Sequence, residues 1–135
     1  MNYLRPLTVI TDRLRSVLPE TLPVRMFTDL ANLKDQALGQ PEVFVMFLSD
    51  SVQDSAGVST LIDFHTGVLY LTPSVMADFE RDGQVLTDIT KALAGYAPPK
   101  ATGLKPIKRI GSMKPAAMGD TLTGYGLIFT TTGML

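Results

Sequence analysis

The chain lacks cysteine altogether and contains a single histidine among its 135 residues. Without cysteine it has no disulfides, no thiolate nucleophile and no zinc–thiolate site, which fits a protein made in a reducing cytoplasm. The net charge is only −1, so overall charge favours neither nucleic acid nor a membrane surface. The longest apolar run, residues 43–48, is far shorter than the roughly 20 residues of a membrane helix, and we expect no membrane partner.

Residues with catalytic or metal-binding chemistry are few and poorly placed. His65 follows Asp63 by two residues, but no Gly-x-Ser-x-Gly turn supplies a nucleophile. The acidic run Asp78, Glu80 and Asp82 lacks the ordered ligand series of a calcium loop, and we interpret it as a solvated loop that leads into a helix. We therefore predict no catalytic residue, no metal site and no cofactor.

Two amphipathic helices are predicted from apolar spacing. The first spans residues 5–18, where Leu7, Ile10 and Leu14 lie on one stripe and Pro6 suits the first turn. The second lies in residues 85–96 and ends at a Gly-Tyr-Ala-Pro-Pro sequence.

Five strands are predicted from alternating or continuous apolar runs. The run at 43–48 is apolar throughout and predicts a central strand buried on both faces. In the longest strand, one parity (Ile62, Phe64, Val68 and Tyr70) is predicted to be the core face. The strand predictions are residues 22–26, 43–48, 58–72, 103–110 and 123–132. Residues 29–36 predict a helical turn or two, residues 74–83 a connection, and residues 50–57 and 111–121 a turn and a loop.

These elements predict one α+β domain over residues 1–135. It consists of a mixed, mostly antiparallel β-sheet packed by two main helices, a sandwich-like arrangement in the order α-β-(α)-β-β-α-β-β. A chain of this length buries enough surface to fold without covalent staples.

Charge is distributed unevenly along the chain. Residues 50–88 contain seven acidic residues and one basic residue, Arg81, which gives a net charge of −6. Residues 98–115 contain five basic residues and no acidic one. A subunit with this asymmetry could pair head-to-tail with copies of itself and close into a ring, although the basic residues are equally compatible with solvated positions. The residues predicted to contact either a neighbouring copy or other proteins of an assembly are Asp50, Asp54, Asp78, Glu80, Asp82, Lys100, Lys105, Lys108, Arg109 and Lys114.

The order of these segments resembles the tail terminator proteins of bacteriophages. The opening Met-Asn-Tyr-Leu-Arg-Pro-Leu-Thr-Val-Ile is similar to that family's first helix, and Pro-Glu-Val-Phe-Val-Met-Phe to its central strand. The helix stop Ala-Gly-Tyr-Ala-Pro has Tyr96 where relatives tend to carry tryptophan. The sequence Gly-Tyr-Gly-Leu-Ile-Phe-Thr-Thr is similar to the closing strand.

This resemblance implies a structural virion protein without enzymatic activity. Such a protein forms a homohexameric ring on the tail tube, stops tube polymerisation and offers a docking surface to a neck or head-completion protein. It would lie at the tail–neck junction of the virion, after assembly in the host cytoplasm, with genome DNA passing through the lumen without specific binding. Three alternatives remain open: a head-completion or neck adaptor ring, a small-ligand or peptide-binding α+β domain unrelated to phages, and an enzyme that uses His65.

Overall fold

The computed structural model describes residues 2–27, 39–56, 59–113 and 121–134. Two helices and five strands form its framework, with short 3₁₀ turns at Ser74–Met76 and Lys100–Thr102. The elements are α1 (Arg5–Val17), β1 (Val24–Phe27), β2 (Glu42–Ala56), β3 (Ser59–Pro73), α2 (Phe79–Leu93), β4 (Lys108–Met113) and β5 (Leu122–Met134).

The strands form one sheet in the order β1-β2-β3-β5-β4. β1 pairs with β2 in parallel, and the other three pairs are antiparallel. The predicted fold class, a mixed and mostly antiparallel sheet packed by two helices, is confirmed.

Both helices cover the same face of the sheet. Leu7, Ile10 and Leu14 of α1 and Ile89 and Leu93 of α2 are all at most 4% exposed. They pack against sheet residues of one parity, which are Val43, Val45, Val68, Tyr70, Leu127 and Phe129. Burying one such side chain contributes about 1.5–3 kcal/mol, so this layer supplies much of the folding free energy.

The central strands are buried on their other face as well. Phe44, Met46, Leu69 and Leu71 form a second apolar cluster and are at most 1% exposed. This confirms that the central run is covered on both faces. The predicted core parity of β3 is also buried, and so are Leu69 and Leu71 of the opposite parity.

The predicted turn at residues 50–57 is wrong. Here β2 continues to Ala56, and its backbone pairs with β3 through to Ser59, with register shifts after Phe47 and Val52. Small polar side chains disfavour a strand only weakly, because β-propensity depends on the partner strand, and the hairpin ladder satisfies every second backbone group.

The second helix also begins earlier than predicted. Asp78 is its N-cap, accepting a hydrogen bond from the Arg81 backbone N–H at 3.1 Å, so α2 starts at Phe79. In the C-terminal part, β4 begins only at Lys108 and extends to Met113, three residues into the predicted loop. The predicted helical turn at 29–36 and the rest of that loop, residues 114–120, lie outside the described residues.

Candidate assembly surface

The basic residues lie along one edge of the sheet and the turn that precedes it. Lys100, Lys105, Lys108 and Arg109 are all exposed and therefore accessible to a neighbouring molecule. Within the described ranges, β4 pairs only with β5, which leaves its outer edge free to accept another strand. The remaining predicted basic residue, Lys114, lies outside the described residues.

The acidic residues are divided between two ends of the molecule. Asp50 is exposed in the half of β2 that leads to the β2–β3 hairpin, and its backbone pairs there with that of Phe64. Asp54 also belongs to this strand, although its side chain is not described. Asp78 and Glu80 are exposed at the start of α2, beyond the opposite end of β3.

We call these ends the hairpin end and the α2-start end. The first helix begins at the hairpin end, because Tyr3 contacts Phe64 there, and α2 ends there too, because Gly95 N–H donates to the Ile107 carbonyl. Lys105 belongs to the same end, since its backbone N–H donates to Thr132 near the end of β5. The exposed contact candidates that the structure describes therefore lie at two opposite ends of the molecule.

Asp82 is not part of either surface. The prediction that it belongs to a solvated acidic run is wrong, because it is 2% exposed. Tyr70 Oη donates to Asp82 Oδ1 at 2.8 Å, the Asp78 backbone N–H donates to Oδ2 at 3.1 Å, and Arg81 forms an ion pair at 3.2 Å. Burial and the hydrogen bond to Asp82 raise the pKa of Tyr70 from 10.0 to about 12.

The sequence did contain a signal for this burial. Asp82 precedes Leu86, Ile89 and Leu93 at the same helical spacing, so a helix that starts earlier turns this carboxylate toward the sheet. In that position it connects β3 with the first turn of α2 and makes the charged hydrogen bonds that a buried carboxylate requires.

The lone histidine lies in the hairpin rather than in a cleft. His65 Nδ1 is 3.1 Å from Ser49 Oγ at an exposed position. Asp63 instead accepts hydrogen bonds from Thr132 Oγ1 and Gln53 Nε2. The Thr132 hydrogen bond is the main cause that lowers the pKa of Asp63 below its ordinary value of 3.8, with Gln53, His65 and Lys108 adding to it.

The sequence patterns did not predict two exposed apolar side chains at the α2-start end. Val75 is 96% exposed and Phe79 is 91% exposed, although both are large and apolar. Met76, between them, is 39% exposed. We call residues 75–79 the knob. Single exposed apolar residues are common, whereas three within five residues of the chain are a candidate interaction site.

A groove of about 500 Å³ lies on the helical side of the molecule. It is lined on one side by Leu4 and by Arg5 and Val9 of α1, and on the other side by the segment after α2, with Tyr96 and Pro99. Arg13 holds these parts together. Its guanidinium lies 4.4 Å from the centre of the Tyr96 ring, and its Nε donates to the Ala92 carbonyl at 3.0 Å.

Across the described ranges, no helix has the length and apolar character needed to span a bilayer. The same ranges contain no group of three or more histidine, aspartate or glutamate side chains placed to hold a metal ion.

Neither a protein-family model nor a curated protein matches the sequence. A solved structure does match the fold: a chain of the virion of a native gene transfer agent particle is similar over 100% of both chains, with a TM-score of 0.67. Only 13% of the aligned residues are identical, so the likeness shows a shared fold.

Proposed function

We propose that this chain is a structural protein of a phage-like virion and acts there as a tail terminator. In this role it caps the tail tube as a hexameric ring, stops tube polymerisation and presents a docking surface to the neck of the head. The observation that carries the proposal is the fold shared over its full length with a chain of a gene transfer agent virion. The sequence resemblance to tail terminators supports the narrower role.

The surface of the molecule suits a ring subunit. A cap needs a face that matches the tube and another face that does not, together with sides that join copies of itself. The described residues supply a free strand edge at β4 and a hairpin whose outer strand is exposed from Ser49 to Gln53. Edges of this kind can add sheet pairing between neighbouring subunits.

The basic edge is the first surface to test. Replacing Lys105, Lys108 and Arg109 with glutamate should block ring closure and leave the monomer folded, because all three side chains are exposed. Lys91→Glu, a charge reversal on an exposed position of α2, is the control. Normal capping of tubes by the triple variant would show that this edge is not part of the assembly surface.

The role itself is tested by electron microscopy of lysates from a phage that lacks this gene. We expect overlong, headless tubes beside DNA-filled heads, and rescue of normal tails by the wild-type chain supplied in trans. Tails of normal length beside heads that leak or fail to join would assign the chain to a neck adaptor ring instead. Intact, infectious particles would contradict any virion role.

A further inference from the structure

We infer that the knob of one subunit docks in the groove of a second copy of this chain, forming a head-to-tail contact. This inference rests on the proposed ring function. Val75 and Phe79 are the apolar anchors, and the groove between α1 and the segment after α2 receives them. Four observations carry it: the rigidity of the knob, the lining of the groove, their opposite charges and their positions at opposite ends of α2.

The knob is exposed but rigidly held. Ser74 N–H donates to the Thr121 carbonyl at 2.8 Å, and Ala77 N–H closes the 3₁₀ turn onto Ser74 at 3.2 Å. Arg81 Nη2 donates to the Met76 carbonyl, which fixes the turn to the first turn of α2. A backbone that is already ordered loses less conformational entropy when its apolar side chains bind a partner.

The groove has the chemistry to receive an aromatic side chain. Its volume of about 500 Å³ accommodates more than one side chain, and Tyr96 and Pro99 offer ring surfaces beside the apolar Leu4 and Val9. Aromatic rings attract one another beyond the burial of their area when they meet offset or edge to face.

The charges of the knob and the groove are complementary. Asp78 and Glu80 flank Phe79 and are exposed, whereas Asp82 is neutralised by its ion pair with Arg81. The groove is lined by Arg5 and Arg13 with one acid, Asp12, and the exposed Lys100 follows its Pro99 wall. An acidic knob therefore meets a basic groove, which favours this pairing over knob against knob.

The positions of the two surfaces determine the symmetry of the contact. The knob precedes α2, and the Tyr96 wall of the groove follows it, so the 15-residue helix of about 22 Å separates them. Because the two surfaces differ and lie at opposite ends, the contact between copies is heterologous. Each time a subunit is added, the growing oligomer still has one free knob and one free groove. Such a contact closes into a ring when the rotation between subunits permits it.

Cross-linking in a chain that has no cysteine gives a direct test. Ala77→Cys marks the knob next to Phe79, and Thr8→Cys marks the groove; both native residues are exposed. The two single variants are mixed, treated with a short bismaleimide and analysed by mass spectrometry, both as concentrated purified protein and within assembled particles. We expect a cross-link between the knob thiol of one chain and the groove thiol of another, and a ladder of oligomers from the double variant.

A second experiment removes the anchors. Val75→Ser together with Phe79→Ser should weaken self-association at least about 30-fold, because truncating a dominant interface residue costs ~2 kcal/mol or more. Val17→Ser, an exposed apolar residue of α1 outside the groove, is the matched control and should leave association unchanged. Circular dichroism checks that both variants are folded.

The outcomes separate this inference from the proposed function. Absence of the knob–groove cross-link in both solution and particles, or normal capping by the knob variant, overturns the contact even if deletion of the gene yields overlong tails. A symmetric knob–knob product without the mixed one also overturns it. A mixed cross-link in purified protein, together with intact particles from the deletion phage, would support the knob–groove contact. The same result would contradict the proposed role as a tail terminator.

Discussion

The hydrogen bond between Tyr70 and Asp82 makes the most direct prediction about stability. Tyr70→Phe removes one hydroxyl and keeps the ring, so no cavity forms at a residue that is fully buried. The Asp82 carboxylate stays buried and loses the 2.8 Å hydrogen bond, while it keeps those from the Asp78 backbone and from Arg81. A hydrogen bond to a charged group contributes about 1.5–3 kcal/mol.

We therefore expect Tyr70→Phe to lower the free energy of unfolding by about 2 kcal/mol. For a domain of this length that corresponds to roughly 7 °C in melting temperature. In an Asp82→Ala background the same change should be close to neutral or stabilising, because the buried hydroxyl has already lost its acceptor. The difference between the two backgrounds is the coupling energy of the pair.

The assay is chemical unfolding of the four proteins of this cycle, followed by circular dichroism. Tyr125→Phe is the control, since Tyr125 stacks on the Tyr70 ring but is only half-buried. A coupling energy below about 0.5 kcal/mol, or an equal loss for Tyr125→Phe, would refute the assignment of this hydrogen bond as a stabilising contact.

Three further predictions concern pH, packing and the histidine. Between pH 10 and 12 the Tyr70 hydroxyl loses its proton in the unfolded chain but keeps it in the folded protein. The free energy of unfolding should therefore fall by about 2–3 kcal/mol over this pH range. Alkaline unfolding curves of wild type and Tyr70→Phe should converge, and parallel curves would contradict the raised pKa. Gly126→Ala would place a Cβ 2.6 Å from the Met113 carbonyl oxygen, so we expect a loss of about 1–3 kcal/mol in denaturant unfolding. Gly111→Ala, which meets nothing within 4 Å, is its control. His65→Ala should leave tube capping, scored by electron microscopy, unchanged; loss of capping with an unaltered fold would contradict the assembly function.

Local sequence patterns correctly predicted the helices and strands in which buried residues recur at the helical or strand period. The stripe of Leu7, Ile10 and Leu14 placed α1 to within one residue of its observed end, and the continuous apolar run placed the core of β2. The outer half of β2 was missed, because its polar residues are ordered by pairing with β3. Such pairing depends on the partner strand as well as on the segment itself, so the composition of a short segment does not predict it.

The same distinction explains the surfaces. Lys108 and Arg109 of β4 are exposed, because long cationic side chains stay in water unless they are paired. Asp82 was misjudged because α2 was predicted to start at residue 85; in the longer helix Asp82 turns toward the sheet, where Tyr70 donates to it. Phe79 continues the apolar stripe of α2, and periodicity alone would place it in the core. Its 91% exposure shows that the helix begins beyond the area that the sheet can cover.

The buried carboxylate thus links stability to the proposed contact. Val75 and Phe79 are almost fully exposed, so apolar packing does not hold the knob in place. Instead, Asp82 accepts from the Asp78 backbone on the knob side and from Tyr70 on the sheet side. Polar groups with fixed directions can hold an exposed apolar surface in one orientation without covering it. A buried charge is a costly way to stabilise a fold, but here it holds the backbone of the knob while Val75 and Phe79 stay exposed.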